Sequence, residues 1–369
     1  MLLTVIAFVL ILSVLVLIHE FGHFLVAKKL GIKVEEFGIG FPPRAFGKKI
    51  GETVYSINWL PVGGFVKLYG EDDAGGGKIK AKSEVVVKSD TDMKRAFYAR
   101  PLWQRISVVI AGVIMNFLLA VVLISFLFAS QGVPLPTDKV IITEVSPSSP
   151  AAIAGIKKGD KVVRINDIEI KDTAAFIAQT KKFKGQEVTL YLLRDGQEFV
   201  TKLTPRVNAP KNEGAMGVGI TDIEVKKYSW LEAPIYGTIE AVKFSWMILG
   251  GLGQMVGDLL TKGIKPEGVA GPIGVAQLTG EAVRAGWFAV LWFTALLSLN
   301  LAVLNILPIP ALDGGRFFFM IIELIFRRKV SPRYEAMAHG VGLVLLLGLM
   351  ALITLVDVSR LLQGKSILP

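Results

Sequence analysis

Apolar residues in this chain gather into a few long blocks, and the segments between them differ in kind. Leu2 to Ile18 contains no charged residue, and Ile106 to Phe128, Trp287 to Leu307 and Ala338 to Val356 repeat the pattern. A bilayer-crossing helix needs about 20 mostly apolar residues, so each block predicts a span. Between the first two blocks the chain is polar, basic and rich in glycine. There, Thr53 to Leu60 and Gly64 to Gly70 alternate like strands around Pro61-Val62-Gly63, which predicts a β-hairpin lying against the membrane. Glu71 to Thr91, with Gly75-Gly76-Gly77, reads as a loop. Residues 133 to 222 carry short alternating runs at Val140-Ile142, Lys161-Ile165, Glu187-Leu193 and Glu198-Leu203, which predict a small β-rich domain. Trp230 to Leu260 is apolar but broken by Glu232, Glu240, Lys243, Gln254 and Asp258, which predicts amphipathic surface helices rather than a span.

These patterns divide the chain into seven parts. Residues 1–27 form transmembrane helix 1, residues 28–104 a cytoplasmic-side loop with the hairpin, and residues 105–130 transmembrane helix 2. The β-rich domain spans 133–222, the surface helices and linker 223–285, transmembrane helix 3 with a short helix 286–326, and a basic loop with transmembrane helix 4 327–369. The expected fold class is a polytopic α-helical membrane protein with four transmembrane helices, a membrane-associated β-hairpin and an extracytoplasmic α+β domain.

Composition sharpens this picture. A hydrophobic fraction of 52% and a mean hydropathy of +0.54 indicate an integral membrane protein. The net charge of +10 does not point to nucleic acid, because no basic stripe is interleaved with aromatics. Much of the excess instead flanks the apolar blocks, at Lys28, Lys29, Lys33, Arg100 and Arg105, and at Arg327, Arg328, Lys329 and Arg333. The positive-inside bias then puts the end of the first span in the cytoplasm and the β-rich domain outside. One more crossing within 230–260 would reverse the third span and expose Arg327 to Lys329 on the wrong side. A cleaved signal peptide is not expected, since no basic n-region precedes the first block and no A-x-A site follows it. With no cysteine, a transition metal must be held by histidine and carboxylate.

The candidate chemistry sits at the end of the first block, at His19-Glu20-Phe21-Gly22-His23. On a helix, two histidines four apart share a face and can hold one ion, while the intervening glutamate can polarise a bound water. The competing readings are a polar patch in a helix bundle and a proton relay. A catalytic zinc site needs a third ligand. Val26 and Lys29 occupy the positions where a nearby histidine would follow in metzincins. Asp313 is favoured, because it follows a span ending at the same membrane face as His23; His339 is the runner-up, and Glu35 and Glu36 are weaker. Asp313-Gly314-Gly315 also reads as a turn. Asn116, within the second block, needs a polar partner, so that helix is expected to pack on the first with Asn116 inward.

Several motifs in order, His19-Glu20-Phe21-Gly22-His23 and Asn305-Ile306-Leu307-Pro308-Ile309-Pro310-Ala311-Leu312-Asp313-Gly314, resemble the site-2 protease family of intramembrane zinc metalloproteases. The closer resemblance is to its bacterial regulator-of-sigma-E protease branch. Ser149-Pro150-Ala151-Ala152 and the run Ala154 to Asp167 are similar to bacterial PDZ domains, and Gly268 to Gly274 matches a further family segment. The resemblance implies Zn2+ as cofactor, His19, His23 and Asp313 as ligands, and Glu20 as general base. It implies substrate contacts at Asn305 and along the hairpin at Asn58, Gly63, Gly64 and Phe65. An edge strand, Val54 to Asn58 or Phe65 to Tyr69, would pair with an unwound substrate. The implied substrates are single-pass membrane proteins, such as an anti-sigma factor after a first cut or signal-peptide remnants, in the bacterial cytoplasmic (inner) membrane. A PDZ-like domain would capture a C-terminal peptide, with Gly217 to Ile220 as a backbone nest, or exclude bulky ectodomains by size. Two departures are visible: one PDZ-like domain instead of two, and Arg316 where some relatives carry histidine. Outside the protease class stand a secondary transporter, for which paired repeat halves are missing, and a membrane-anchored PDZ scaffold, which leaves the polar residues of the first span unexplained.

Overall fold

The computed structural model describes residues 2–71, 93–210, 213–262 and 270–363. The expected loop from Glu71 to Thr91 lies outside them apart from its first residue, as do Gly268 and Val269. The chain forms two compact units, Met1–Leu127 with Trp230–Pro369, and Phe128–Ser229.

In the first unit, α1 (Leu2–Lys29), α2 (Leu102–Ser130), α7 (Trp287–Ile306) and α9 (Pro332–Leu362) are the four helices long and apolar enough to cross a membrane among the described residues. Large apolar side chains point outward along them, including Leu3, Ile6 and Leu10 on α1 and Val344 and Leu345 on α9. In lipid such exposure carries no hydrophobic penalty, so helix contact depends on small residues and polar bonds. Gly22 is one such contact: a Cβ there would lie 2.5 Å from the Ala111 carbonyl oxygen of α2.

The expected short helix begins earlier than its apolar run. It is α8 (Asp313–Phe326), so Asp313 opens a helix instead of occupying a turn. A carboxylate in the first turn is favoured by the helix dipole. The glycines allow the chain to fold back tightly, since a Cβ at Gly314 would sit 1.9 Å from the Leu307 oxygen and one at Gly315 2.6 Å from that of Ile309. Before α7, the interrupted apolar stretch forms one 30-residue helix, α5 (Ala233–Lys262), followed by α6 (Pro272–Ala285). Gly237 of α5 abuts Ser125 of α2, and Phe244 packs edge-on against Trp292 of α7.

The hairpin differs from expectation. The runs on either side of Pro61-Val62-Gly63 do not pair with each other; they belong to one strand, β2 (Thr53–Leu68), and both pair with β1 (Val34–Ile50). β1 carries two prolines and three glycines, which hid its alternation. The reversal falls at Gly51, at φ 61°, while Gly63, at φ 72°, only bends β2. In the register, Glu36 to Ile39 face both Val54–Ile57 and Lys67–Gly64, whereas Arg44 to Ile50 face Asn58–Thr53. Val54 to Ile57 is therefore flanked on both sides, and of the two β2 runs only Gly64 to Leu68 lies at an edge, the opposite edge being Arg44 to Ile50 of β1.

Glu52 anchors the reversal, accepting from both Arg95 terminal nitrogens at 2.7 and 2.8 Å and from Lys28 Nζ at 3.1 Å. The Arg95 hydrogen bonds, reinforced by Lys28, pull its carboxyl down to about 2 from 4.5. A lowered folded value stabilises the fold above the unfolded value and is lost as the pH falls. Amide protection at Gly51 and Glu52, taken relative to the intrinsic exchange rate at each pH, should fall between about pH 4.5 and 2, and Glu52→Gln should remove that pH step.

The second unit holds β3 (Val133–Val145), α3 (Pro150–Ile153), β4 (Lys161–Ile165), β5 (Ile168–Glu169), α4 (Thr173–Lys182), β6 (Val188–Arg194), β7 (Gln197–Leu203) and β8 (Val218–Lys226). Its sheet runs β7-β6-β4-β3-β8, with β5 on β4, over a core that includes Ile142, Val162, Ile165, Phe176, Leu190 and Met216. Strands and short helices thus make up this unit, as the alternating runs predict. The nest expected at Gly217 to Ile220 does not form. Gly217 alone is left-handed, at φ 75°, and Val218, Gly219 and Ile220 enter the ladder opposite Val145, Glu144 and Ile142. Among the described residues β8 is an edge strand, bordered by β3 alone.

Candidate metal centre

His19 and His23 lie one turn apart on α1, at 8% and 7% exposure. The apolar sequence carries α1 through lipid, so these side chains need polar partners from neighbouring elements. On α2, Val108, Gly112 and Asn116 recur every four residues, matching the histidine spacing. His23 Nδ1–H donates to the Val108 carbonyl at 2.7 Å, and Asn116 Nδ2 lies 3.4 Å from His19 Nδ1. Gly112 leaves the space between them: a Cβ there would lie 2.4 Å from His23 Nε2 and 2.7 Å from His19 Cε1.

The third member arrives from far along the chain. After α7, Leu307 is extended and Ala311 takes φ 79°, which turns the chain so that α8 starts with Asp313 facing α1. Asp313 Oδ2 lies 2.8 Å from His19 Nε2 and 3.2 Å from His23 Nε2, and the two Nε2 atoms are 3.2 Å apart. His23 has its proton on Nδ1, so in the neutral ring Nε2 presents a lone pair toward two other electron-rich atoms. Three converging donors of this kind can hold one cation between them. Tetrahedral bonds of about 2.0–2.1 Å space ligand atoms about 3.3 Å apart, close to the observed triangle, and a nitrogen–nitrogen–oxygen set suits zinc. The residues present fit a catalytic-type zinc site with one position left open.

Glu20 turns to the other side, toward the sheet, where its Oε2 accepts from the Val66 N–H at 3.0 Å. Val66 is on the edge run of β2. The next outward N–H on that edge, Leu68, donates to Glu71 Oε2 at 3.3 Å, and Glu71 is also paired with Arg316 of α8. The edge strand is thus held beside both the carboxylate of α1 and the helix carrying Asp313.

The remaining candidates separate. His339 does not join the cluster: its Nδ1 accepts from the Ala311 N–H at 2.9 Å and braces the turn leading to Asp313. Glu35 pairs with Lys67, and Glu36 with Arg44 and Ser56, both within the sheet. Asn58 is buried, its amide donating to the Ile39 and Gly40 carbonyls at 3.3 and 3.1 Å, so it braces the sheet. The Phe65 ring covers Gly38, whose Cβ would lie 2.4 Å from it. Gly63 and Gly64 bring β2 against Val16 and Leu17 of α1, and Ser13 Oγ accepts from the Gly63 N–H at 3.3 Å. Asn305 is half-buried in the last turn of α7, and its amide makes no hydrogen bond among the described residues. Of the supporting residues, the sequence marks Gly112 only as a small residue that lets the second span approach the first, and it does not mark Val66 or Val108 as part of the site. Its one hint was that Gly112 and Asn116 repeat the spacing of the histidines.

Comparison with known proteins agrees with this chemistry. The profile of peptidase family M50 matches residues 7–349. A protein of Clostridium perfringens is 37% identical over 349 residues, covering 94% of this chain and 96% of that one. The regulator of sigma-W protease of Bacillus subtilis is 31% identical, with 97% and 99% covered, and a zinc metalloprotease of Geobacillus kaustophilus is 30% identical, with 97% and 98% covered. A PDZ domain of an SdrC-like protein from Listeria monocytogenes matches 24% of this chain and 95% of its own, with TM-score 0.22 and 21% identity.

Proposed function

The chain belongs to peptidase family M50 and is a membrane-embedded zinc metalloprotease of the site-2 type; from that premise we propose which residues perform the cleavage and on what. His19, His23 and Asp313 hold the zinc, and Glu20 is the general base. The observation that carries this assignment is the triangle of three donor atoms 2.8–3.2 Å apart, formed by two buried histidines and the half-buried Asp313, beside a carboxylate on the same turn of α1.

Zinc, when bound, supplies the Lewis acidity that brings a water's pKa to near 7 and polarises the scissile carbonyl. Glu20 takes the water proton and later returns it to the leaving amine. A substrate helix resists attack because its backbone groups are already bonded along the helix, so the segment must be extended first. The edge run Gly64 to Leu68 offers backbone groups for strand addition, and the Asn305 amide, which makes no hydrogen bond among the described residues, would bond a freed substrate group. Because Glu20 holds the Val66 N–H, a substrate strand that takes over this donor also frees the base.

The basic flanks of the spans support a topology with α8 and the sheet at the cytoplasmic side of the cytoplasmic membrane and the PDZ-like unit outside it. The substrates are single-pass membrane proteins already trimmed outside, an anti-sigma factor or the remnant of a signal peptide. The name of the Bacillus subtilis relative, a regulator of sigma-W, supports a signalling role. The free edge of β8 suits capture of the new C-terminus, and the domain's bulk suits exclusion of untrimmed ectodomains.

Metal analysis of the purified chain tests the assignment. Wild type should hold near-stoichiometric zinc, His23→Ala should lose it, and His339→Ala should keep it. A wild type without zinc, or loss in His339→Ala with retention in Asp313→Ala, would overturn the ligand set.

A further inference from the structure

Asn116 is fully buried in α2. Its main chain is already used, since the Ser298 hydroxyl of α7 donates to the Asn116 carbonyl at 2.7 Å. Its side chain is not: Nδ2 lies 3.4 Å from His19 Nδ1, and Oδ1 is buried without a partner among the described residues. An unpaired buried acceptor beside a ring nitrogen is costly to leave and points to a use.

The chemistry of His19 supplies that use. With its Nε2 committed to the donor triangle, a neutral imidazole carries its proton on Nδ1, and that proton needs an acceptor. A half-turn of the Asn116 amide brings the idle Oδ1 onto Nδ1–H, and the oxygen and nitrogen of an amide are interchangeable in shape. On the same face of α2, eight residues earlier, the Val108 carbonyl already does this for His23. A helical carbonyl can reach one ring only; the second, one turn away on α1, needs a side chain of amide length. Gly112, between the two, lets α2 approach closely enough for both bonds.

We infer that Asn116 is a positioning residue for the metal centre: its side-chain carbonyl accepts the Nδ1–H of His19 and fixes the tautomer and ring plane that present Nε2. Through Ser298 the same residue ties this setting to α7, the span that leads to Asp313. The proposal rests on the ligand assignment above.

The test uses the full chain in detergent, with zinc affinity measured by chelator competition and site geometry by the visible spectrum of the cobalt-substituted protein. Asn116→Leu, which keeps the volume and removes the acceptor, should bind zinc about 10–100-fold more weakly and shift the cobalt bands. Asn116→Asp keeps an acceptor at the same place and should bind within about threefold of wild type or more tightly, since a carboxylate partner raises imidazole basicity. A leucine variant with wild-type affinity and spectrum would overturn the proposal, as would an aspartate variant weakened as much as the leucine one. Where Asn116→Leu does not fold, Asn116→Asp decides alone: affinity at or above wild type supports the role, and a tenfold loss overturns it. A wild type that binds no metal defeats the ligand assignment and this proposal together, whereas tight wild-type binding with an indifferent Asn116→Leu defeats this proposal only.

Discussion

Glu20→Gln is expected to abolish cleavage of a reporter membrane substrate while leaving zinc in place. The glutamine side chain has the same shape and retains an oxygen that can accept from the Val66 N–H, so the contact between α1 and the edge of β2 persists. What it loses is the ability to take a proton from water and pass it to the leaving amine. General acid–base catalysis contributes about 10²–10⁴-fold, and the loss should reach at least that range because Glu20 serves both transfers. The measurement is an initial cleavage rate in detergent or proteoliposomes, paired with metal analysis of the same preparations. Equal rates for the two proteins would reject Glu20 as the base. Loss of zinc in the glutamine variant would show instead that Glu20 supports the metal.

A single methyl group should have a comparable effect at Gly112. The added Cβ of Gly112→Ala would lie 2.4 Å from His23 Nε2 and 2.7 Å from carbons of both imidazoles, far inside van der Waals contact. Neither ring has an easy escape. His23 is held by the Val108 carbonyl, and His19 lies between Asp313 and Asn116. The helix itself gains from the change, since alanine exceeds glycine in helix propensity by about 1 kcal/mol. The expected result is therefore a folded chain that has lost near-stoichiometric zinc and, with it, cleavage. Gly250→Ala on α5 is the control, because no atom lies within 4 Å of a Cβ there, and it should retain both. Retention of zinc by Gly112→Ala would mean that α2 can move away from α1 and that the close approach at Gly112 does not set the two imidazoles.

These two predictions differ in how far the sequence anticipates them. Glu20 stands out from the motif alone, because spacing along one helix is a local property. Gly112 does not, because a glycine in a span reads equally as a packing residue against any neighbour. Only the crossing of α1 and α2 shows that Gly22 meets Ala111 while Gly112 faces the two imidazoles. The sheet is a similar case. Alternation revealed the two runs of β2, which lie in apolar-polar register, but not β1, whose prolines and glycines obscure the period. Without β1, either run could be taken for a free edge; with it, Val54 to Ile57 is enclosed and Gly64 to Leu68 is the edge that meets Glu20.

By itself the sequence determined the four spans, the turn of helix bearing His19, Glu20 and His23, and the separate β-rich unit, since hydropathy and residue spacing act over distances of one element. The tertiary structure decided which distant residue completes the triangle. The topology expected from the sequence puts Asp313 and His339 at the same membrane face. The choice between them depends on the rotation of each helix about its axis. That rotation is set by close backbone approaches at glycines and by buried polar bonds between residues as far apart as His19 and Asp313, 294 positions along the chain. In lipid, where apolar burial does not orient one helix against another, these few contacts carry the register, and no local pattern records them.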